Sequence, residues 1–396
     1  MMNADCDRLS PPGFRETLAQ CALNRIFCYE PALCLRLLEH FGTAEAVFDA
    51  PAGVRDRLLF GQPLLSGAIG PDALAWAAGE LSALPRFGAV FIGVNDPAYP
   101  RLLRECPDHP VGLYVRSQTP VEDLFNRQLA VAFVGTRDLS SYGRTWCGNL
   151  VSALDEAVVA ERPLVVSGLA LGIDDIAHET ALTLGLPTVG VMATGIDGVY
   201  PSRHRGLADR MARTPGCALV TCYPVGTAPL ATQFLSRNRI IAGMCHATVL
   251  VESKVRGGGM ITARYAYEYQ RDVYALPGRV DDVRSQGCNL LLKNKTAEPV
   301  ISTGDLLEKL GLRSPRLSRK AIVPEAVRHY QEAVMDPAEK DLLLELLRMI
   351  STRRGISLHE ICAASGRSYG EVAGGVGMLE SDGYVSMDIL QRCSIV

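Results

Sequence analysis

The chain has 396 residues, 48% hydrophobic and 21% charged, with a formal net charge of −3 and an isoelectric point near 6.2. That composition excludes global disorder, and a chain this long predicts two to three domains of about 100–200 residues. The near-neutral charge excludes a protein that coats nucleic acid non-specifically, but it is compatible with a local basic groove, because binding follows the local field.

Residues 1–10 are polar and acidic, with no basic region leading into an apolar core, so no signal peptide is read. No apolar run approaches the roughly 18 residues of a membrane span, and a cytoplasmic location is expected. The twelve cysteines are scattered without a Cys-x-x-Cys pair or zinc-finger spacing. They read as small buried hydrophobes of a reducing compartment, and no metal or cofactor is expected.

Residues 14–80 read as short helices. Leu18, Leu23 and Ile26 share one face; Pro31 opens a second helix carrying Leu33, Leu37, Leu38 and Phe41 before Gly42 stops it. A helix-hairpin-helix would need glycine in the turn Phe27-Cys28-Tyr29-Glu30, which has none. A small helical, sterile-alpha-motif (SAM)-like domain over 1–84, made for packing or protein contact, is the expectation. Residues 85–312 form the main body. Apolar runs at 89–94, 129–134, 164–167, 188–192, 218–220, 248–251 and 273–276 alternate with amphipathic stretches of helix length. Val-rich runs without polar alternation suit strands buried on both faces of a parallel sheet, and repeated β-α-β units predict an open, doubly wound α/β sheet. Residues 313–337 are rich in Arg, Ser and Pro, including Arg313, Arg316, Arg319, Lys320 and Pro324, and read as a solvated, flexible linker. Residues 338–396 read as a winged helix. One helix carries Leu342, Leu343, Leu346 and Leu347, and a second starts at a Ser357/Glu360 capping box. A third follows the turn at Gly366 and leads into a strand pair.

Chemistry concentrates at the ends of the central strands, where such sheets bind ligands. After the run ending at Val134 come Gly135, Thr136 and Arg137. Glycine admits an anion to the backbone, Thr136 adds a hydroxyl and Arg137 a forked cation, with the next helix expected to aim its N-terminus at the same point. The turn Ser167-Gly168-Leu169-Ala170-Leu171-Gly172 lacks the spacing of a Walker or dinucleotide loop, yet amides around Ser167 and Gly168 can form an anion nest. Asp174 and His178, four apart, read as a loop-fixing residue with a histidine packed beside it rather than as a metal or acid–base pair. The run Arg203, His204, Arg205, Arg210, Arg213 reads as a solvated helix face. Tyr200 before it suits either base stacking or a packed corner. The segment Phe234-Leu235-Ser236-Arg237-Asn238-Arg239 precedes an apolar run, which sets two guanidinium forks at the edge of a rigid element. Such forks suit phosphate or a base edge, unless one of them is a structural ion-pair partner. Lys254, Arg256 and Gly257–Gly259 read as a loop over the site, followed by a helix whose dipole faces it.

These motifs, in this order and spacing across roughly residues 90–300, strongly resemble the DNA processing protein A (DprA/Smf) family; Gly195 to Pro201 and Pro277-Gly278 match as well. The resemblance implies an extended Rossmann-like domain that binds single-stranded DNA in a basic pocket and dimerises through that domain. It also implies protection of incoming DNA in natural transformation, help in loading RecA, and no enzymatic activity. Carried over by motif, Gly135, Thr136, Arg137, Ser167, Gly168, Arg237, Asn238, Arg239 and Lys254 would surround phosphate and bases. Departures from the family pattern are Gly257–Met260, Cys222 where an acid is common, and Lys293–Ala297 in place of a glycine-containing turn.

Two other functions compete. A nucleotide-cleaving enzyme of the related LOG-type phosphoribohydrolase class would need a glutamate near Pro224–Pro229, and none is in place. A winged-helix regulator would need a cationic recognition helix. The stretch 368–383 has no Lys or Arg, three acids and five glycines, so this domain is expected to contact protein rather than duplex DNA. The paired substitution Arg237→Ala and Arg239→Ala is expected to weaken DNA binding with little effect on the thermal midpoint.

Overall fold

The computed structural model describes residues 13–157, 159–312, 319–353, 355–388 and 390–395. The expectation on residues 1–10, and the linker residues Arg313 and Arg316, lie outside them. The chain divides into two compact units, up to Leu312 and from Arg313.

In the larger unit, nine strands form one sheet: β1 (Ala89–Gly93), β2 (Gly112–Arg116), β3 (Ala130–Val134), β4 (Leu164–Gly168), β5 (Thr188–Val191), β6 (Ala218–Thr221), β7 (Ala247–Leu250), β8 (Asp272–Ala275) and β9 (Glu298–Pro299). Their order is β1-β2-β6-β5-β4-β3-β7-β8-β9. From β6 to β9 every pairing is parallel, whereas β2 is antiparallel to both β1 and β6. The mixed α/β class and the doubly wound sheet are those the apolar runs predict. The sequence reading missed β2, Gly-Leu-Tyr-Val-Arg, and the two-residue β9, which are too short and mixed to stand out.

Six helices precede the sheet: α1 (Phe14–Ile26), α2 (Pro31–Phe41), α3 (Ala44–Asp49), α4 (Ala52–Leu58), α5 (Pro63–Ala68) and α6 (Pro71–Ala83). They share a core with the sheet. Leu23 and Phe27 belong to one apolar cluster with Leu113, Val220 and Cys222, and Asn24 donates to the Cys222 carbonyl at 2.9 Å. The front of the chain is therefore packed into the main body, which differs from a separate helical domain over 1–84.

The remaining helices of this unit are α7 (Arg101–Arg104), α8 (Ser141–Glu156), α9 (Ile173–Leu184), α10 (Arg205–Arg213), α11 (Ala231–Gly243), α12 (Gly258–Glu268), α13 (Gln286–Lys293) and α14 (Thr303–Lys309). Successive strand residues serve opposite faces: Val131, Phe133 and Val165 pack with α8, α9 and α14, whereas Ala132, Val134 and Val166 pack with residues of α11 and α12. Both faces are covered, which explains strands that are apolar throughout.

The smaller unit contains α15 (Arg319–Glu332), α16 (Pro337–Thr352), β10 (Ile356–Ser357), α17 (Leu358–Ser365), α18 (Tyr369–Ser381), β11 (Val385–Met387) and β12 (Arg392–Ile395). Its antiparallel sheet runs β10-β12-β11. Capping boxes open α17 (Ser357 with Glu360) and α18 (Ser368 with Glu371). The linker expectation over 313–337 is corrected here: residues 319–332 are helical and bury Ala326 and Tyr330 in the core of this unit. The composition misled because Pro324 stands inside a helix, where proline ordinarily signals a break.

Candidate functional site

Strands β3 and β7 are neighbours that lead to opposite sides of the sheet, β3 through α8 to β4 and β7 through α12 to β8. Their connections part at the carboxyl ends, the place where an open α/β sheet leaves a crevice. A cavity of about 380 Å³ lies there, walled by residues 134–138 after β3, residues of 253–259 after β7, and one face of α11.

The turn after β3 is held by backbone. The Thr136 N–H donates to the Glu252 carbonyl at 2.7 Å, and the Thr136 carbonyl accepts the Ile173 N–H at 3.3 Å. Gly172 permits that contact: its φ is +89°, and a Cβ there would lie 2.2 Å from the Thr136 oxygen. The α8 N-terminus is not free for an anion, contrary to expectation. The Glu252 carboxylate accepts both the N–H of Ser140, at 2.9 Å, and its hydroxyl, at 2.5 Å, while Ser140 Oγ accepts the Gly143 N–H at 3.0 Å. A carboxylate already occupies the positive end of this helix. Sequence reasoning missed Glu252, which is 1% exposed and has no motif of its own.

Helix α11 presents Phe234, Arg237, Asn238 and Ile241 to the cavity, the i, i+3, i+4, i+7 set of one helical face. Arg237 is 4% exposed. It donates to the Val191 carbonyl and, through Nε, to Asn238 Oδ1 at 3.3 Å; Asn238 Nδ2 donates to the Gly258 carbonyl at 3.3 Å. The Arg237 guanidinium and the Asp174 carboxylate both border Gly168, where a Cβ would lie 2.6 Å from both Nη atoms and from Asp174 Oδ2. Burial raises the Asp174 pKa, opposed first by the charge of Arg237. Burial lowers the Arg237 pKa, opposed first by Asp174.

Arg239 faces away from this cavity. It donates to the Asp108 carbonyl and stands in a field of Cys222, Asp108, Tyr269 and Tyr99. Ser167 and Gly168 are strand residues, paired in register with Gly190 and Val191, and the Ser167 hydroxyl donates to the Phe133 carbonyl at 2.5 Å. They form no anion nest, and Ser167 brings nothing to the cavity wall. Asp174 fixes its loop by accepting the Ala170 N–H at 3.3 Å. His178 is fully buried and donates from Nδ1 to Thr188 Oγ1 at 2.8 Å, because the Thr188 proton is committed to the Val165 carbonyl at 3.0 Å. Among the described residues no group of three or more His, Cys, Asp or Glu is placed to hold a metal ion.

The mouth of the cavity is cationic and aromatic. Exposed Arg137 lies 5.5 Å above the Phe234 ring, whose neighbour Tyr200 meets it edge-on at 5.4 Å and is 48% exposed. Tyr200 thus joins the site by way of Phe234, which the sequence reading quoted without giving it a role. Lys254 is exposed on the opposite wall. The first turn of α12 starts in the cavity at Gly258 and Gly259, whose amides have no backbone acceptor among the described residues, while the Met260 N–H donates to the Gly257 carbonyl at 3.2 Å. A more open hollow of about 510 Å³ shares Lys254 and Asp138. Its other charges are mutually satisfied, with Arg279–Asp281 at 2.8 Å and Arg284–Asp282 at 3.6 Å. In the cationic run near α10, Arg210 pairs with Glu179 and His204 is buried, Asp209 pairs with Arg116 at 2.9 Å, and Arg203, Arg205 and Arg213 are exposed, as a solvated face should be.

The family model of DNA recombination-mediator protein A matches residues 90–311. Protein Smf of Synechocystis sp. is 30% identical over 379 residues, covering 90% of this chain and 93% of its own. DNA processing protein DprA of Streptococcus pneumoniae is 37% identical over 228 residues, covering 58% of this chain and 75% of its own. The X-ray structure of DNA processing protein A from Streptococcus pneumoniae superposes with a TM-score of 0.61 at 29% identity, over 74% of this chain and 95% of that one.

Proposed function

Because the chain belongs to the DNA recombination-mediator protein A family, we propose that its β3/β7 crevice binds single-stranded DNA, with Arg137, Lys254, Arg237, Asn238 and the amides of α12 facing the backbone. The family places the chain in DNA processing and recombination. The observation that carries the finer reading is the convergence of these groups on one crevice beside the Phe234 and Tyr200 rings. A helix N-terminus, a forked cation and an ammonium recognise phosphate without reading sequence. Exposed Tyr200, packed against half-buried Phe234, offers a π-face to unstacked bases, which a duplex does not present. Gly135 and Thr136 shape the approach, and hydrogen bonds to the Val191 carbonyl and to Asn238 keep Arg237 in place. The test is a salt series on variants. Arg137→Ala and Lys254→Ala each lower affinity for a labelled single strand and reduce the log–log salt slope by about 0.7, the value for one single-strand phosphate contact. An unchanged slope in both places the phosphates elsewhere.

Protection of incoming DNA, loading of RecA and homodimerisation through the larger unit extend this proposal and rest on family membership alone. Nuclease digestion of the bound strand, RecA filament formation on that strand, and light scattering test the three in turn. Full digestion, no gain in filament formation, or a monomeric mass would each remove its part.

A further inference from the structure

The hollow of about 510 Å³ that adjoins the crevice is lined by residues 279 and 281–284 of the loop after β8, together with Asp138 and Lys254, which also wall the crevice. Hydrogen bonds hold this loop at both ends. At its root, the Gly278 N–H donates to Asn289 Oδ1 at 3.2 Å, and the Gly278 carbonyl accepts from Asn289 Nδ2 at 3.0 Å. At its far end, the Arg284 N–H donates to Asp282 Oδ1 at 2.9 Å, and the Arg284 carbonyl accepts the Ser253 N–H at 2.6 Å. Arg284 is thereby fixed beside Ser253 and Lys254, on the β7 wall of the crevice.

The Arg284 side chain is anchored through Nε to the Asp138 carbonyl at 3.1 Å. The carboxylates of Asp282 and Asp138 stand 3.6 and 3.7 Å from it, ion-pair distances longer than a hydrogen bond. Solvated pairs of this kind are worth little, and a phosphate that fits the guanidinium fork displaces them. An aromatic ring stands at the root of the same loop. Tyr142, in the first turn of α8, donates its hydroxyl to the Pro277 carbonyl at 2.8 Å, yet it is 41% exposed. The Trp146 ring, one helical turn on, lies 6.2 Å from it. A ring held by its hydroxyl presents its face with little freedom left to lose on binding.

We propose that this hollow is a second subsite for the same single strand, where Tyr142 stacks an unpaired base and Arg284 takes an adjoining phosphate. The inference rests on the reading that the crevice holds single-stranded DNA, and it extends the strand past Lys254. In the hollow, Lys254, Arg279 and Arg284 are balanced by Asp138, Asp281 and Asp282, so it has no net charge to draw a strand by itself. It takes nucleotides of a strand already held in the crevice, at the effective concentration that tethering provides. Stacking accepts every base, so the subsite adds dependence on strand length without sequence preference.

The test measures the affinity of the full chain for labelled oligo-dT of two lengths, about four and about sixteen nucleotides, the range of single-strand site sizes. Tyr142→Ala is expected to weaken binding of the long strand about tenfold and to leave the short one unchanged, while Tyr142→Phe, which keeps the ring, binds both as the unaltered chain does. Arg284→Ala is expected to reduce the log–log salt slope by about 0.7 for the long strand alone. Undiminished binding of the long strand by Tyr142→Ala overturns the proposal, as does an equal loss on both lengths. Tyr142→Phe as weak as Tyr142→Ala overturns it too, because the hydroxyl that pins the loop would then be the part that matters. Arg137→Ala separates this inference from the one beneath it. If it weakens both lengths while Tyr142→Ala weakens neither, the second subsite alone fails; if it weakens neither, the crevice fails and the subsite with it.

Discussion

Arg237 and Arg239 stand two positions apart on α11 and serve opposite sides of it. Both are 4% exposed, so the expectation that replacing both leaves the thermal midpoint intact does not survive their burial. Arg239→Leu removes the donor to the Asp108 carbonyl and is predicted to cost about 2 kcal/mol of stability with unchanged DNA affinity of the folded protein. Arg237→Leu leaves the Val191 carbonyl without its donor and removes the cation that offsets the burial of Asp174, and lowers both, with a stability loss of about 1–3 kcal/mol. Denaturant unfolding beside anisotropy separates the two, and equal affinity losses would contradict the assignment. His178 gives a pH signature. Burial holds its pKa down to about 3, from 6.5 for the free group. Across that window the unfolded chain binds the extra proton, so stability is full above about 6.5 and is lost as the pH falls, by about 1.4 kcal/mol per unit. His178→Gln flattens the fall in stability between pH 7 and pH 5; an unchanged slope assigns the acid sensitivity to other groups.

At the scale of elements, the first turn of α12 reaches the crevice because two glycines let backbones touch. A Cβ at Gly259 would lie 2.6 Å from Leu250 Cδ1 and 3.1 Å from Gly135 Cα. Gly259→Ala is therefore predicted to lift the α12 N-terminus from β3 and weaken single-strand binding about tenfold, at a stability cost of about 1–3 kcal/mol from overpacking. Unchanged affinity would show that these amides do not face DNA. This element was legible in the sequence, since Lys254, the glycine run and the following helix read as a loop with a dipole behind it. Thr136 and Arg137 were legible too, because a glycine turn after a valine-rich strand has one local meaning. Arg239 was not separable from Arg237, nor Ser167 and Gly168 from the turn that follows them. Which way a helical side chain points follows from the packing partner, and a strand residue next to a turn looks like part of the turn. Glu252 was hidden because its role, closing the α8 N-terminus through Ser140, depends on a contact across 112 residues. The helix at 319–332 was hidden by Pro324 and by cations that suggest solvent.

At the scale of the whole molecule, the near-zero net charge is spent unevenly. Most arginines of the larger unit are paired or buried, while Arg137 and Lys254 remain exposed at the crevice. The smaller unit carries no Lys or Arg on α18, whose first turn is capped by Ser368 and Glu371, so it is not suited to the major groove. Among the described residues no helix is long and apolar enough to cross a membrane. The central claim is that one crevice at the β3/β7 switch point holds a single strand through phosphate contacts and stacked bases. Fluorescence anisotropy with labelled oligo-dT and a matched duplex, across a salt series, tests it most directly. The account predicts strong, salt-steep binding of the single strand and much weaker binding of the duplex. Equal binding of both, or none at a concentration where the protein is folded, would contradict it and direct attention to nucleotide hydrolysis.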